Sequence, residues 1–417
     1  MIKSLVRKLL LHFGSYLKLD AHYFVKGGAW GMLQQIVGIA SGLTVSYLFG
    51  HFISKHLFGE YNLILSIISL FTFLSLPGID TALVRSVGQG YDASLLQSQS
   101  IKIKFSVITI PVLLCVSIFY FIKGNFPIGS ALVIASFAFP FLYSFSSYSS
   151  FLTAKKQFII LAIVSSLASL FFLISTAVSI FLFPSVSGLT TGYLIGSIIP
   201  AIIAFYYCKK FIQSKKIDIH LPNYGSFLTI VSVLPWLSGN TGSIILGNLV
   251  GPESLAIYSV SLGFLVSVQK NFVVFYKPVN AKLASQSREE HLETLKKHGF
   301  KFFIIGVFLS FLLWLIMPFL VKFFFTTTYN DAIRYGQWLS LALIPLPISW
   351  VLSDIMIYQK NKRAQVLMST VPHVLKIILY FVFIPLWGIN GLVSLFILER
   401  YSEPIIPLLV LWHRRNL

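Results

Sequence analysis

Apolar stretches of about 20 residues recur along the whole of this chain, each long enough to cross a bilayer as a helix. From Phe105 to Ile122, for example, no charged side chain occurs. Backbone amides and carbonyls in hydrocarbon have no water to bond. Each run must therefore satisfy them internally, and only a helix does so within one segment. Charged residues make up 11% of the chain, against about 25% in soluble domains. These runs predict an all-α integral membrane protein.

About 12 transmembrane helices are expected, near 27–50, 62–84, 103–122, 128–153, 158–183, 189–208, 226–249, 254–276, 300–325, 333–358, 365–386 and 389–412. Connections are short; the longest, 277–299, is too small for a separate domain. Residues 1–26 carry five dispersed Lys or Arg and no small-residue cleavage pattern, so they are not expected to be a cleaved signal. Ile2, Leu5, Val6, Leu9, Leu10 and Phe13 recur at helical spacing there, as in an interfacial amphipathic helix; a frayed tail is the alternative.

A net charge of +19 would suggest nucleic acid in a soluble chain, but no basic patch interleaved with aromatics is present. The distribution of the cations explains them better. On the N-terminal side of the span map lie Lys3, Arg7, Lys8, Lys18, Lys26, Arg85, Lys102, Lys104, Lys155, Lys156, Lys209, Lys210, Lys215 and Lys216. The same side takes Lys277, Lys282, Arg288, Lys296, Lys297, Lys301, Lys360, Lys362, Arg363, Arg414 and Arg415. The other side has only Lys55, Lys123, Lys322 and Arg334. Lys and Arg gather in cytoplasmic loops, which places both termini in the cytoplasm and favours an even number of spans.

The linker 209–225 divides the chain into two expected six-helix bundles, 27–208 and 226–417. Phe58-Gly59-Glu60-Tyr61 before span two and Val250-Gly251-Pro252-Glu253 before span eight occupy corresponding positions, a short internal echo. Parallel repeats of this kind place transport sites at the interface between halves.

Three segments carry a family resemblance: His56-Leu57-Phe58-Gly59-Glu60-Tyr61-Asn62-Leu63, Leu76-Pro77-Gly78-Ile79-Asp80 through Arg85, and Gly251-Pro252-Glu253-Ser254-Leu255-Ala256-Ile257-Tyr258-Ser259. With these the chain resembles the polysaccharide-unit (O-antigen) flippases of the multidrug/oligosaccharidyl-lipid/polysaccharide exporter superfamily. The resemblance covers nearly the whole chain. It implies export of an undecaprenyl-pyrophosphate-linked oligosaccharide across the bacterial inner membrane by alternating access. It also implies H+ or Na+ as a coupling ion, contact with membrane lipids, and a polysaccharide polymerase and chain-length protein as partners. Members often carry a charged pair at the start of the Ile-Leu-Gly motif of span seven. Here that stretch reads Thr241-Gly242-Ser243-Ile244-Ile245-Leu246-Gly247, so any such contact has been moved or lost.

No phosphate-cradling Gly-rich loop, His-Glu-x-x-His or Gly-x-Ser-x-Gly occurs, and Cys115 and Cys208 form no metal-ligand spacing. No catalytic residue, metal or cofactor is therefore expected. Ionisable groups inside spans are the informative residues, because a mid-membrane charge costs about 2.5–3.5 kcal/mol and needs a partner or a wet cavity. Lys376 precedes the turn near Trp387-Gly388 by about as many residues as Glu399 follows it, so antiparallel helices place both at one depth. His373 shares a face with Lys376, Glu403 shares one with Glu399, and Arg400 reaches Glu403. This cluster reads either as a structural ion-pair network or as a hydrated, protonatable passage site. Asp80 and Asp354, near span ends, are ion-coupling candidates or simply solvated. Lys270 either snorkels or, with Arg85, offers positive charge to a pyrophosphate; Lys376 and Arg400 are further cationic candidates. Pro235, Ser238, Gly239, Asn240 and Gly242 suggest a bent or unwound span seven, or close helix packing.

Two rival functions stand beside the flippase. One is a drug or small-solute/cation antiporter of the same superfamily. The other is a membrane glycosyltransferase or polymerase, which the short outer loops disfavour.

Overall fold

A computed structural model of the chain describes residues 21–284, 286–359 and 362–413. The described residues are mostly helical and contain no strand. The N-terminal amphipathic segment lies outside them apart from its last residues, which begin the first helix.

The helices run α1 Ala21–Phe52, α2 Lys55–Leu70, α3 Gly78–Gly88, α4 Ser94–Ser106, α5 Thr109–Ile122, α6 Phe126–Ser144, α7 Tyr148–Ala154, α8 Phe158–Leu182 and α9 Val186–Cys208. After the linker come α10 Leu221–Leu249, α11 Pro252–Ala284, α12 Arg288–Phe324, α13 Asp331–Ser340, α14 Leu346–Tyr358, α15 Lys362–Ser402 and α16 Ile405–His413. Among the described residues, 9 helical stretches are long and apolar enough to cross a membrane, or 10 if the bent pair α13–α14 is one span. α11 is not one of them. Its apolar face is interrupted by Gln269, Lys270, Asn271 and Lys277. The stretch 277–299, expected as the longest connection, is carried by the ends of α11 and α12, and Ser287 and Glu290 form a capping box at the start of α12.

Two span expectations are corrected. Span seven is not unwound: α10 runs unbroken through Pro235. Its small residues serve close packing, since a Cβ on Gly242 would meet the Tyr380 ring and one on Gly225 the Ile79 side chain. The broken span is the second. A 3₁₀ turn, Phe71–Ser75, ends at Leu76 in the left-handed region (φ 53°), and α3 begins after Pro77. Proline disfavours helical geometry in the residue before it, which explains the break here. Gly78 then lets the chain pass against the Gly225 carbonyl, and its amide donates to Thr229 Oγ1 at 3.0 Å.

α15 reverses direction at Gly388 (φ 54°, ψ −130°), beside Trp387 as the sequence predicts. At the end opposite the linker, α2 and α11 nearly touch: a Cβ on Gly59 would run into the Pro252 carbonyl. The two echoed sequence motifs are thus in direct contact. Phe58, Phe325 and Tyr329 cluster beside that contact, with ring centroids 5.1–6.4 Å apart.

Candidate functional site

α1 packs along α8, but between α1 and α11 there is a cavity of about 450 Å³. The two helices line it in opposite directions, from Gln34 to Ser46 on α1 and from Asn271 back to Ser259 on α11. At a helical rise that is about 18 Å of depth. Gln35 Nε2 donates to Asn271 Oδ1 across the linker end, beside Lys270. Phe58, Phe264 and Phe325 form the opposite wall. Between them the lining is mostly hydroxyl, amide and glycine, so the cavity suits a neutral, hydrogen-bonding guest. Lys270 is exposed and forms no ion pair among the described residues.

Of the two cations offered for a pyrophosphate, Lys270 lines the cavity and Arg85 does not. Arg85 lies exposed at the end of α3, its guanidinium 5.3 Å from the centroid of the Tyr224 ring, and does not line the cavity. The broken second span directs α3 toward the linker instead.

Lys376 and Glu399 meet as depth along α15 predicts. Lys376 Nζ donates to Glu399 Oε2, and the two residues are 7% and 8% exposed. His373 Nδ1 stands 3.4 Å from Glu399 Oε1 and 2.8 Å from Ser238 Oγ, which ties α10 to the pair. The ammonium also faces the rings of Tyr380 and Phe396 at 5.6 and 5.5 Å. Arg400 takes Glu403 as its partner at 2.5 Å, and its guanidinium lies 5.1 Å from the centroid of the Phe396 ring. None of these five titratable residues lines the cavity. The arrangement is a closed, charge-balanced joint between α10 and the two arms of α15.

Asp80 has a partner that sequence reasoning assigned to a loop. Lys102 is 1% exposed; its Nζ donates to Asp80 Oδ2 at 2.7 Å and to Ser146 Oγ at 3.1 Å. Ser147 Oγ donates to the second carboxylate oxygen at 2.6 Å. The missed signal was a polar stripe at every fourth residue of α4. Ser94, Ser98, Lys102 and Ser106 are all buried on one face. Asp354 accepts from Tyr276 Oη at 2.6 Å and Asn280 Nδ2 at 2.5 Å, with no cation in contact among the described residues.

Outside the spans, two aspartates fasten the linker. Asp92 Oδ2 accepts from Lys155 at 2.6 Å and from the backbone amides of Gln213 and Ser214 at 2.9 and 3.1 Å. Burial alone would raise its carboxyl; the Lys155 and backbone hydrogen bonds outweigh burial and hold it below the usual value. Asp218 is lowered chiefly by the hydroxyl of Ser86, which donates at 2.6 Å.

Residues 24–279 match a family described as "Polysaccharide biosynthesis protein". Over 256 residues the chain is 21% identical to the "Lipopolysaccharide biosynthesis protein WzxC" of Escherichia coli (strain K12), across 58% of this chain and 50% of that protein. The chain thus aligns with half the length of this curated relative. Among solved structures, an inward-facing multidrug resistance MATE family transporter of the MOP superfamily superimposes with a TM-score of 0.68 at 14% identity, covering 92% of this chain and 98% of that one. The lipid II flippase MurJ in an inward closed conformation gives 0.62 at 18% identity, covering 93% and 87%. At these identities the likeness establishes the fold.

Proposed function

Because the chain belongs to the family of polysaccharide biosynthesis proteins, we propose that it moves an undecaprenyl-pyrophosphate-linked oligosaccharide repeat unit from the inner to the outer leaflet of the bacterial cytoplasmic membrane. It performs no covalent chemistry. The observation that carries this reading is the cavity between α1 and α11, lined by hydroxyls and amides, with Lys270 at its linker end. A pyrophosphate needs a cationic partner. Sugar hydroxyls need donors and acceptors that an apolar transport path lacks.

In this reading the chain has twelve spans with both termini cytoplasmic, and the linker end of the cavity faces the cytoplasm. The halves 27–208 and 226–417 rock about the linker 209–225, and the cavity is exposed to each side in turn. In this reading the packed rings of Phe58, Phe325 and Tyr329 are the gate on the outer side. The joint of His373, Lys376 and Glu399, reaching Ser238 on α10, is where H+ uptake would loosen one packing arrangement in favour of another. Asp354, held among the described residues by the neutral donors Tyr276 and Asn280, is the second carboxylate available to a coupling H+ or Na+.

The test is substitution of Lys270 in cells dependent on this chain for surface polysaccharide. Lys270→Ala lowers export at normal membrane abundance, and Lys270→Arg retains it. Full export by Lys270→Ala at wild-type abundance contradicts the reading. Altered drug tolerance with unchanged polysaccharide supports the antiporter instead.

A further inference from the structure

A second cavity of about 390 Å³ opens beside the first and shares Gly38, Gly42 and Ser169 with it. It is walled by α1, α7, α8 and α9, with Ser165, Ser197 and Tyr148 among its lining groups. Ser41 also lines it. That residue is 5% exposed, and its hydroxyl has no hydrogen-bond partner among the described residues. The hydroxyl opens onto the cavity, where a guest can bond it. Each cavity falls within the roughly 300–1,000 Å³ of pockets that enclose small organic ligands.

Among the described residues lining the two cavities, Lys270 is the only charged one, and it stands at the linker end of the first. The pyrophosphate, which already carries more than one negative charge, leaves no cationic capacity for anything further. A carboxylate on a sugar beyond it would lie among serines, glycines and a phenylalanine face with no counter-charge. Burying an unpaired carboxylate in such surroundings is far costlier than burying another hydroxyl.

We infer that the second cavity receives the sugars proximal to the pyrophosphate, and that this chain is selective for repeat units whose proximal sugars are uncharged. The inference rests on the lipid-linked substrate proposed above and adds its chemical class. Lys270 anchors the head group, and Ser41, Ser165, Ser169 and Ser197 meet the hydroxyls of the first sugars. Gly38 and Gly42 keep the passage between the two cavities open, because a side chain on either would stand in it.

The full-length chain is reconstituted in proteoliposomes with two probes. One is an undecaprenyl-pyrophosphate-linked oligosaccharide of neutral hexoses, and the other the same compound with a hexuronic acid as the first or second sugar. Flipping is read as the rate at which each glycan becomes accessible to a glycosidase on the opposite side. The neutral probe is expected to cross at least about tenfold faster, the factor that corresponds to roughly 1.4 kcal/mol. Ser169→Arg, which adds a cation at the junction of the cavities, is expected to narrow that ratio by accelerating the acidic probe. Ser41→Ala is expected to slow the neutral probe. Equal rates for the two probes overturn the selectivity while leaving the lipid-linked reading intact. Failure of both probes to cross, with correctly folded chain in the vesicles, overturns both.

Discussion

Replacing Lys376 by Met and Glu399 by Gln, singly and together, perturbs a pair whose geometry sets the outcome. Both residues are more than nine-tenths buried, and Tyr380 and Phe396 cover the ammonium, so little solvent screens what remains after one is removed. Breaking such a pair costs about 3–5 kcal/mol, whereas replacing both partners by neutral groups of similar volume is often close to neutral. The two single substitutions are not equivalent. Without Lys376, Glu399 still has the His373 ring as a polar partner at 3.4 Å. Without Glu399, Lys376 has only ring faces, because Glu403 is held by Arg400. Glu399→Gln therefore costs more than Lys376→Met, and Lys376→Met/Glu399→Gln recovers most of the loss. A double-mutant cycle on unfolding free energies in mixed micelles is expected to give a coupling of at least about 2 kcal/mol. Single-mutant effects that add to within about 0.5 kcal/mol would refute the argument. Surface polysaccharide measured in the same four strains separates structure from transport. If the joint also couples transport, the double mutant is abundant but inactive.

Other consequences follow from single residues. A Cβ on Gly388 would make only ordinary contact, the nearest atom being Val250 Cγ1 at 3.6 Å. Its φ of 54° with ψ of −130° is a glycine conformation, so Gly388→Ala costs about 1–3 kcal/mol through the backbone alone and lowers membrane abundance. The Asp92 and Asp218 carboxyls are depressed by folding. Their contribution is complete above the ordinary carboxylate value of about 3.9 and disappears as pH falls through the lower folded values. Protease cleavage within 209–220 should therefore rise steeply in acid, and Asp92→Asn should already raise it at neutral pH. A reporter fused after Lys216 should be cytoplasmic and one at Gly251 periplasmic; a periplasmic Lys216 reporter contradicts the proposed twelve-span topology.

Much of this architecture is legible in the sequence because membranes simplify the problem. Backbone satisfaction in hydrocarbon allows the apolar runs to be only helices. Depth along two helices joined at one glycine is simple arithmetic, so the contact of Lys376 with Glu399 could be foreseen, and helical spacing sufficed for Arg400 with Glu403. Lateral packing is different. Lys102 sits beside Lys104 in a polar stretch and reads as a loop cation, yet its partner Asp80 arrives from another helix redirected by the Leu76–Pro77 break. Of the residues that suggested an unwound span seven, Gly242 packs against Tyr380 and Ser238 bonds to His373, because small side chains serve helix packing as readily as helix breaking. The cavity residues Gln34, Gln35 and Asn271 carry no charge and so gave no warning in the sequence, although an amide pair joins α1 to α11 at the linker end beside Lys270.

The central claim is that this chain carries a lipid-linked glycan between leaflets. The most direct measurement is the leaflet distribution of undecaprenyl-pyrophosphate-linked oligosaccharide in spheroplasts with and without the chain. Its loss is predicted to trap the lipid-linked unit on the cytoplasmic face and abolish long surface polysaccharide, with both restored by the wild-type chain and not by Lys270→Ala. An unchanged leaflet distribution and normal polysaccharide in cells lacking the chain would contradict the account.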